Sequence, residues 1–533
     1  MNLKLILPPS WLRFLVIILL VLGVFFRFTN LDQKVYWFDE IMTSVKIGAY
    51  TDYDVEAFNG QIISVKELNQ KYNTLDPEIT VIDTIKNLSV KDPKHTPLYF
   101  VMARFWIEWF GSSIAVIRSL SALLSLLLFP CLYWLCLELF QSSLVAWVAM
   151  GLIAVSPLHF LYAVEARMYG LHTVIILLSS AALLRAMRQK NKLSWGIYAI
   201  TISLGLYTHT LFGLVAIGHG IYVAITEGFT PRKTLINYLI ASLLGLLTFI
   251  PWFFCIFNHP KGYFFGLIWQ TKPIPLSSLL TWWVINLSRI FVDFNPTYQV
   301  DTDFSSFKNP LSISLIFLVL MLVFYAIYFL ISHTPKEIWL FVLILVFLTH
   351  TTLAAQDVFQ GGIRSFNARY LIASYLGIHL AVAYLLATKI ISVSSREQKF
   401  WQMAMIALIS SGIISCMLIL PQKIWWNKAY NSVSPQIASI VNESNNPLLL
   451  ITDVWKSQNN LWSISQFLEE TVKIQLVTEA NLTQIPDGFS EVFLFNPSDK
   501  LQARLIEEQL FKIEPLTGDG GMSLWRLYHD GND

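Results

Sequence analysis

The chain has 533 residues, 55% of them hydrophobic and 14% charged, with a mean hydropathy of +0.55; soluble globular proteins carry roughly 25% charged residues, so an ordinary soluble enzyme is excluded. The net charge of +2 is unevenly spread: Lys428 to Asp533 hold 14 acidic against 7 basic residues, which leaves the basic excess in the apolar part, where it can set membrane topology. Cys131, Cys136, Cys255 and Cys416 lie in apolar runs without paired spacing, which excludes a disulfide framework and reads as small core hydrophobes.

Lys4 and Arg13 precede the apolar run Phe14 to Phe28. Arg27 closes that run and no small-residue cleavage site follows, so it is expected to be an uncleaved first membrane helix rather than a signal peptide. A spanning helix needs about 20 mostly apolar residues. Candidate spans are 11–28, 114–137, 143–163, 168–187, 195–211, 212–228, 235–256, 311–332, 338–354, 370–388 and 400–420, about eleven in all.

Between the first two spans, Thr29 to about Ser113 is far too long for a simple connection, and such loops are usually functional. It carries Trp37-Phe38-Asp39-Glu40, two adjacent carboxylates just beyond a membrane helix. Transfer of a group to a hydroxyl or amine needs a base for the acceptor proton, and a carboxylate screened by aromatic neighbours has its pKa moved toward that task; solvated loop acids or a helix N-cap would look the same. His95-Thr96-Pro97-Leu98-Tyr99 follows. Pro97 suits a first helical turn and Thr96 an N-cap, which leaves His95 to orient an acceptor, bind a metal or face water. The aromatic stretch Pro97 to Phe110, with Arg104 and Glu108, reads as a helix lying in the membrane interface.

Tyr162-Ala163-Val164-Glu165-Ala166-Arg167-Met168-Tyr169 joins the third and fourth spans. Charges this close to hydrocarbon tend to be paired or functional; Arg167 can bind phosphate bidentately or pair with Glu165. Phe257 to Pro310, with Trp269, Trp282, Trp283, Pro273 and Pro275, reads as a second half-buried, substrate-facing loop. Arg364 and Asn367-Ala368-Arg369-Tyr370 lead into the tenth span, where Arg369 either serves the site or snorkels to head groups. His159, His209, His219 and His350 are given no role. From about Trp425 the composition becomes soluble: PLLLITDVW, VKIQLV, EVFLFN and MSLWRLYH read as strands, LWSISQFLEE and DKLQARLIEEQL as helices. This predicts a small α/β domain without a glycine-rich phosphate loop.

Lys and Arg are retained on the cytoplasmic side in short loops. With Lys4 and Arg13 inside, eleven crossings also place Arg185/Arg188/Lys190/Lys192, Arg232/Lys233, Lys336 and Lys389/Arg396/Lys399 inside. The C-terminal domain and the acids, histidine and arginines above then lie outside, around one cavity.

The series Asp39-Glu40, HTPLYFVMARFWIEWFGSSIAVIRSLSALLSLL, SPLHFLYAVEARMYGLHTVIILLSSAALLRA and NARYLI resembles the dolichyl-phosphate-mannose-protein mannosyltransferase superfamily, which includes protein O-mannosyltransferases and aminoarabinose transferases of GT-C architecture. The resemblance runs in order over roughly residues 10–390. It implies an inverting transfer from a polyprenyl-phosphate sugar without a nucleotide. Asp39 is then the catalytic acid-base residue supported by Glu40, and Arg167 and Arg369 are the cations at the donor phosphate. Thr96 stands where His-Pro-Pro is usual, and Asp52 to Asp92 is an extended insert.

The sequence therefore predicts an α-helical polytopic plasma-membrane protein of GT-C type, with a transmembrane domain over 1–424 and an extracytoplasmic α/β domain over 425–533. Its partners would be a polyprenyl-phosphate sugar, membrane lipids and a protein, lipid or glycan acceptor, with no nucleic acid. His95, Glu165, Tyr169 and Tyr370 would support the site, with Glu165 orienting Arg167; a divalent metal at Asp39 and His95 is compatible but not required. A transporter or flippase is the rival reading, although transporters gather polar residues near the midplane at broken, repeated helices. A C-terminal binding module merely anchored by the rest is disfavoured by the number of spans.

Overall fold

The computed structural model describes residues 8–49, 60–73, 75–228, 232–258, 268–294, 310–451, 454–477, 488–507, 512–519 and 522–528. The protein is a multi-pass α-helical membrane protein with a small mixed sheet at one end. Helices stand at all the expected spans. Among the described residues, eight are long and apolar enough to cross a membrane: Ser10–Phe28, Ile114–Phe140, Tyr169–Gln189, Lys233–Asn258, Pro310–His333, Lys336–Gln360, Ile372–Lys389 and Ser395–Ile419. Their outward faces carry exposed Leu243, Leu247, Phe317, Phe324 and Ile406, apolar surface of an extent that suits lipid rather than water.

Three of the eleven expected spans depart from that standard, each for a local reason. The third is a bent pair, Ser143–Ala154 and Pro157–Ala163, meeting at 66°. Pro157 has no N–H to continue the helical ladder and favours extended backbone at the residue before it; Ser156 is extended and its hydroxyl donates to Ile290 O at 2.6 Å. The fifth and sixth, Lys192–Thr208 and Phe212–Glu227, have 17 and 16 residues. At about 1.5 Å per residue they reach roughly 25 Å, short of a hydrocarbon core about 30 Å thick.

Six described strands, five of them from the C-terminal region, form one sheet: β1 Ile62–Ser64, β2 Pro447–Ile451, β3 Lys473–Leu476, β4 Glu491–Phe495, β5 Lys512–Asp519 and β6 Met522–Tyr528, in the order β1-β3-β2-β4-β6-β5. β2 runs parallel to β3 and β4, and the remaining pairs are antiparallel. Successive side chains of a strand point to opposite faces. Leu449 and Ile451 therefore pack with Ile437, Val441, Leu461 and Ile464, while Leu448 and Leu450 pack with Leu501 and Leu505 on the other face.

β1 comes from the long first loop, with Ile63 opposite Ile474. Ile63, Val65 and Leu68 join the same core as Leu449. The loop's strand and its Val65–Asn73 helix are thus packed into the sheet domain, across the expected division at residue 425. The rest of the loop forms the helices Phe38–Ile47, Val81–Lys91 and Leu98–Phe110. The sheet domain reaches back in turn: its Val454–Ser465 helix lies on Phe38–Ile47, and Trp462 is buried in the core of the helical bundle.

Candidate active site

The Phe38–Ile47 helix organises the site. Trp37 is extended, and the first helical N–H, that of Phe38, donates to Asn431 Oδ1 at 2.9 Å. Successive residues on a helix are about 100° apart, so Asp39 and Glu40 face different surroundings although they are neighbours.

Glu40 is fully buried. Arg118 Nε donates to Oε1 and Nη2 to Oε2, both at 2.7 Å; Lys428 Nζ donates to Oε2 at 2.5 Å and Ala166 N to Oε1 at 2.9 Å. Arg118 also donates to Leu31 O, Lys34 O and Val35 O. Burial alone would push the Glu40 carboxyl up, but Arg118 and Lys428 overcome it and hold the group at about 2. Glu40 is a locked anion whose acceptor oxygens are already occupied.

Asp39 keeps 18% of its side chain exposed. Arg369 Nη1 donates to its Oδ2 at 2.8 Å, and Arg167 Nη2 lies 4.0 Å from the same oxygen. Burial raises this carboxyl, but Arg369 first and then Arg167, His95 and Lys46 outweigh it, so Asp39 sits below its ordinary range.

Arg167 Nη1 donates to Asp39 O at 3.1 Å and to Thr43 Oγ1 at 3.2 Å, and Nη2 lies 2.9 Å from His95 Nε2. A guanidinium can only donate, so Nε2 accepts from Arg167, while Nδ1 lies 3.0 Å from both Asp92 Oδ2 and Lys46 Nζ. Lys46, 2.7 Å from Asp92, and Lys94, 3.2 Å away, complete the chain. Burial pushes His95 down to about 3, which keeps it neutral in this role.

The rings of Trp37, Tyr169, Trp269 and Tyr370 lie 5.4, 5.9, 5.7 and 5.4 Å from the Arg369 guanidinium. The Tyr370 hydroxyl accepts from Gln270 Nε2 at 3.0 Å, which pins the second long loop to the site. The expected cluster of Asp39, His95, Arg167, Tyr169, Arg369 and Tyr370 is therefore assembled at one end of the bundle.

Glu165 departs from expectation. Arg167 N folds back to Glu165 O at 2.7 Å, a tight turn that sends the two side chains to different partners. Glu165 Oε1 takes Asn427 Nδ2 at 2.5 Å and does not orient Arg167. Arg364 pairs with Asp357 at 3.2 Å and takes no part in the cluster around Asp39.

Sequence reading does not single out Arg118, Lys428, Asn427, Asn431, Asp92 or Lys46. Arg118 had a readable signal, a lone cation inside an apolar helix. The others become meaningful only when distant segments meet.

Two features suggest a ligand. Among the described residues around the site, buried or half-buried cations exceed anions: Lys34, Lys46, Arg118, Arg167, Arg369 and Lys428 stand against Asp39, Glu40, Asp92 and Glu165. Arg167 Nε, Arg369 Nε and Trp37 Nε1 are also buried donors without an acceptor among the described residues, and leaving such groups unpaired is costly. Both favour an anionic, oxygen-rich ligand. A divalent metal at Asp39 and His95 fits poorly, because Arg167 already occupies His95 Nε2 and two guanidiniums face Asp39.

Residues 94–254 match the family model described as dolichyl-phosphate-mannose-protein mannosyltransferase, a stretch narrower than the 10–390 over which the motifs recur. His95, Glu165, Arg167 and Tyr169 fall inside it; Asp39 and Arg369 do not. ArnT from Cupriavidus metallidurans in the apo state aligns over 97% of this chain and 98% of its own, with 11% identity and a TM-score of 0.53. The fold is that of the GT-C membrane glycosyltransferases. The apo Archaeoglobus fulgidus oligosaccharyltransferase shares it, with 13% identity over 89% of this chain and a TM-score of 0.50. AglB from the same organism, in complex with an inhibitory peptide and a dolichol-phosphate, aligns over 87% of this chain with 13% identity and a TM-score of 0.50. The chain spans 65% and 64% of those two archaeal chains. No curated protein matches it.

Proposed function

We propose that this chain transfers a sugar from a polyprenyl-phosphate carrier to an acceptor at the extracytoplasmic face of the membrane. The observation that carries the reading is the pair of arginines flanking Asp39, each with a buried Nε–H that finds no acceptor among the described residues. A carboxylate alone would suit many sites, whereas two guanidiniums with spare donors suit a phosphate. The dolichol-phosphate in the AglB complex, a protein of the same fold, supports such a carrier.

In the transfer Asp39 takes the proton of the acceptor hydroxyl or amine as that atom attacks the anomeric carbon. The carbon–oxygen bond to phosphate breaks, and both its electrons stay on the phosphate oxygen. Arg167 and Arg369 hold the charge that develops there, in a site where water is largely excluded. Their engagement by the donor also draws them from Asp39, so its carboxyl rises toward the affinity a base needs. Glu40 acts by position, fixing the helix start against Arg118 and Lys428. His95 and Asp92 hold Arg167, and no metal enters this mechanism. The basic clusters supporting the orientation lie at the opposite end of the bundle, where Arg185 and Arg188 pair with Glu138.

Mass spectrometry of lipids from cells lacking the chain tests the reading. One polyprenyl-phosphate sugar is expected to accumulate while one envelope glycoconjugate loses that sugar. An unchanged donor pool and an unchanged glycoconjugate profile would refute it, and a donor found trapped on the cytoplasmic leaflet would favour a flippase.

A further inference from the structure

The Trp425–Asn431 segment lies where the helical bundle passes into the sheet domain, yet Asn427, Lys428 and Asn431 turn back to Glu165, Glu40 and Phe38. Trp425 and Trp426 donate through Nε1 to Asp293 Oδ2 at 2.8 and 2.7 Å, and Arg289 lies 4.0 Å from the Trp426 ring centre. Asn427 holds Glu165, and Lys428 donates to Glu40 and, at 2.8 Å, to Val35 O. Tyr430 packs edge-on against Phe38 with ring centres 5.3 Å apart. Asn431, fully buried, accepts from Phe38 N with Oδ1.

The first N–H groups of a helix have no partner within it. Trp37 cannot cap its own helix, because its side chain has no acceptor oxygen. Asn431 therefore supplies from the far end of the chain an acceptor for the first helical N–H, that of Phe38, one residue before Asp39.

We infer that Asn431 is a positioning residue of the transfer, fixing the start of the Phe38–Ile47 helix so that Asp39 is held between Arg369 and Arg167, and that the Trp425–Asn431 segment is a working part of the active site. This rests on the transfer reading above. A base displaced by about 1 Å from its productive place costs on the order of 100-fold in rate, whereas the donor phosphate is held by arginines on other elements.

The test uses the purified full-length chain with two probes: undecaprenyl phosphate for binding, and the polyprenyl-phosphate sugar fraction extracted from cells lacking the chain for turnover. Asn431→Ala is expected to lower kcat by about 10- to 100-fold, with KM for the donor and the affinity for undecaprenyl phosphate changed less than about 3-fold. Asn431→Asp keeps a capping oxygen and is expected to recover most of the rate, with the acid limb of the pH profile moved upward by the added negative charge. A kcat in Asn431→Ala equal to wild type, or a loss that appears as KM with kcat intact, overturns the inference. An Asn431→Asp variant as slow as Asn431→Ala and without a pH shift also overturns it. Asp39→Asn is measured in parallel. Full activity there condemns the transfer mechanism itself, while an inactive Asp39→Asn beside a normal Asn431→Ala condemns only the role of Asn431.

Discussion

Replacing Arg118 by Met tests how the site is built. Arg118 is 1% exposed and makes two charge-assisted bonds to Glu40 and three to main-chain carbonyls. The substitution leaves Glu40 with Lys428 and Ala166 N, and leaves Leu31 O and Lys34 O without the donor they had. Removing one partner of a buried ion pair costs roughly 3–5 kcal/mol, a large part of a net stability of about 5–15 kcal/mol. Fluorescence-detected thermal unfolding in detergent is expected to show a marked fall in midpoint. Arg118→Met combined with Glu40→Met is expected to recover much of it, since the orphaned carboxylate goes too and Lys428 retains Glu165 as a counter-charge. An unfolding midpoint for Arg118→Met equal to wild type, or a double variant worse than the single one, would refute the view of Glu40 as a structural anion.

Arg369→Gln removes the largest influence opposing the burial of Asp39. The active base is ionised, and a depressed pKa keeps it so at lower pH. The acid limb of kcat/KM should therefore lie below the usual carboxylate range in the wild type and move upward in the variant, as read from a pH profile. Asp92→Ala removes the carboxylate that holds His95 and Lys46, and with it the support for the His95 contact to Arg167. Affinity for undecaprenyl phosphate, measured by thermophoresis, is expected to weaken about 10-fold, equivalent to roughly 1.4 kcal/mol, while the fold persists.

Local pattern carries the bundle well and the site only in part. Apolar runs such as Pro310–His333 and Ser395–Ile419 announce themselves, because a lipid-facing helix is apolar over its whole length. Asp39, Arg167 and Arg369 are legible because charges beside hydrocarbon need a reason. The span count was less legible, since Pro157 bends one span and two others are short. Glu40 reads like Asp39 from sequence, yet one step round a helix separates a partly exposed carboxylate from a sealed one. β1 could not be read from Ile62–Ser64, three residues whose only reason to be a strand is β3 waiting far along the chain. Lys428 and Asn431 read as the opening of a soluble domain, because nothing local says that they reach Glu40 and Phe38.

Transfer by Asp39→Asn from the polyprenyl-phosphate sugar accumulated in cells lacking the chain is the most direct test. Loss of a positioned base costs about 10²–10⁴-fold, so kcat should fall on that order. Undecaprenyl phosphate should bind at least as tightly as to wild type, because Arg369 is freed from its carboxylate partner. Turnover by Asp39→Asn at the wild-type rate would contradict the account.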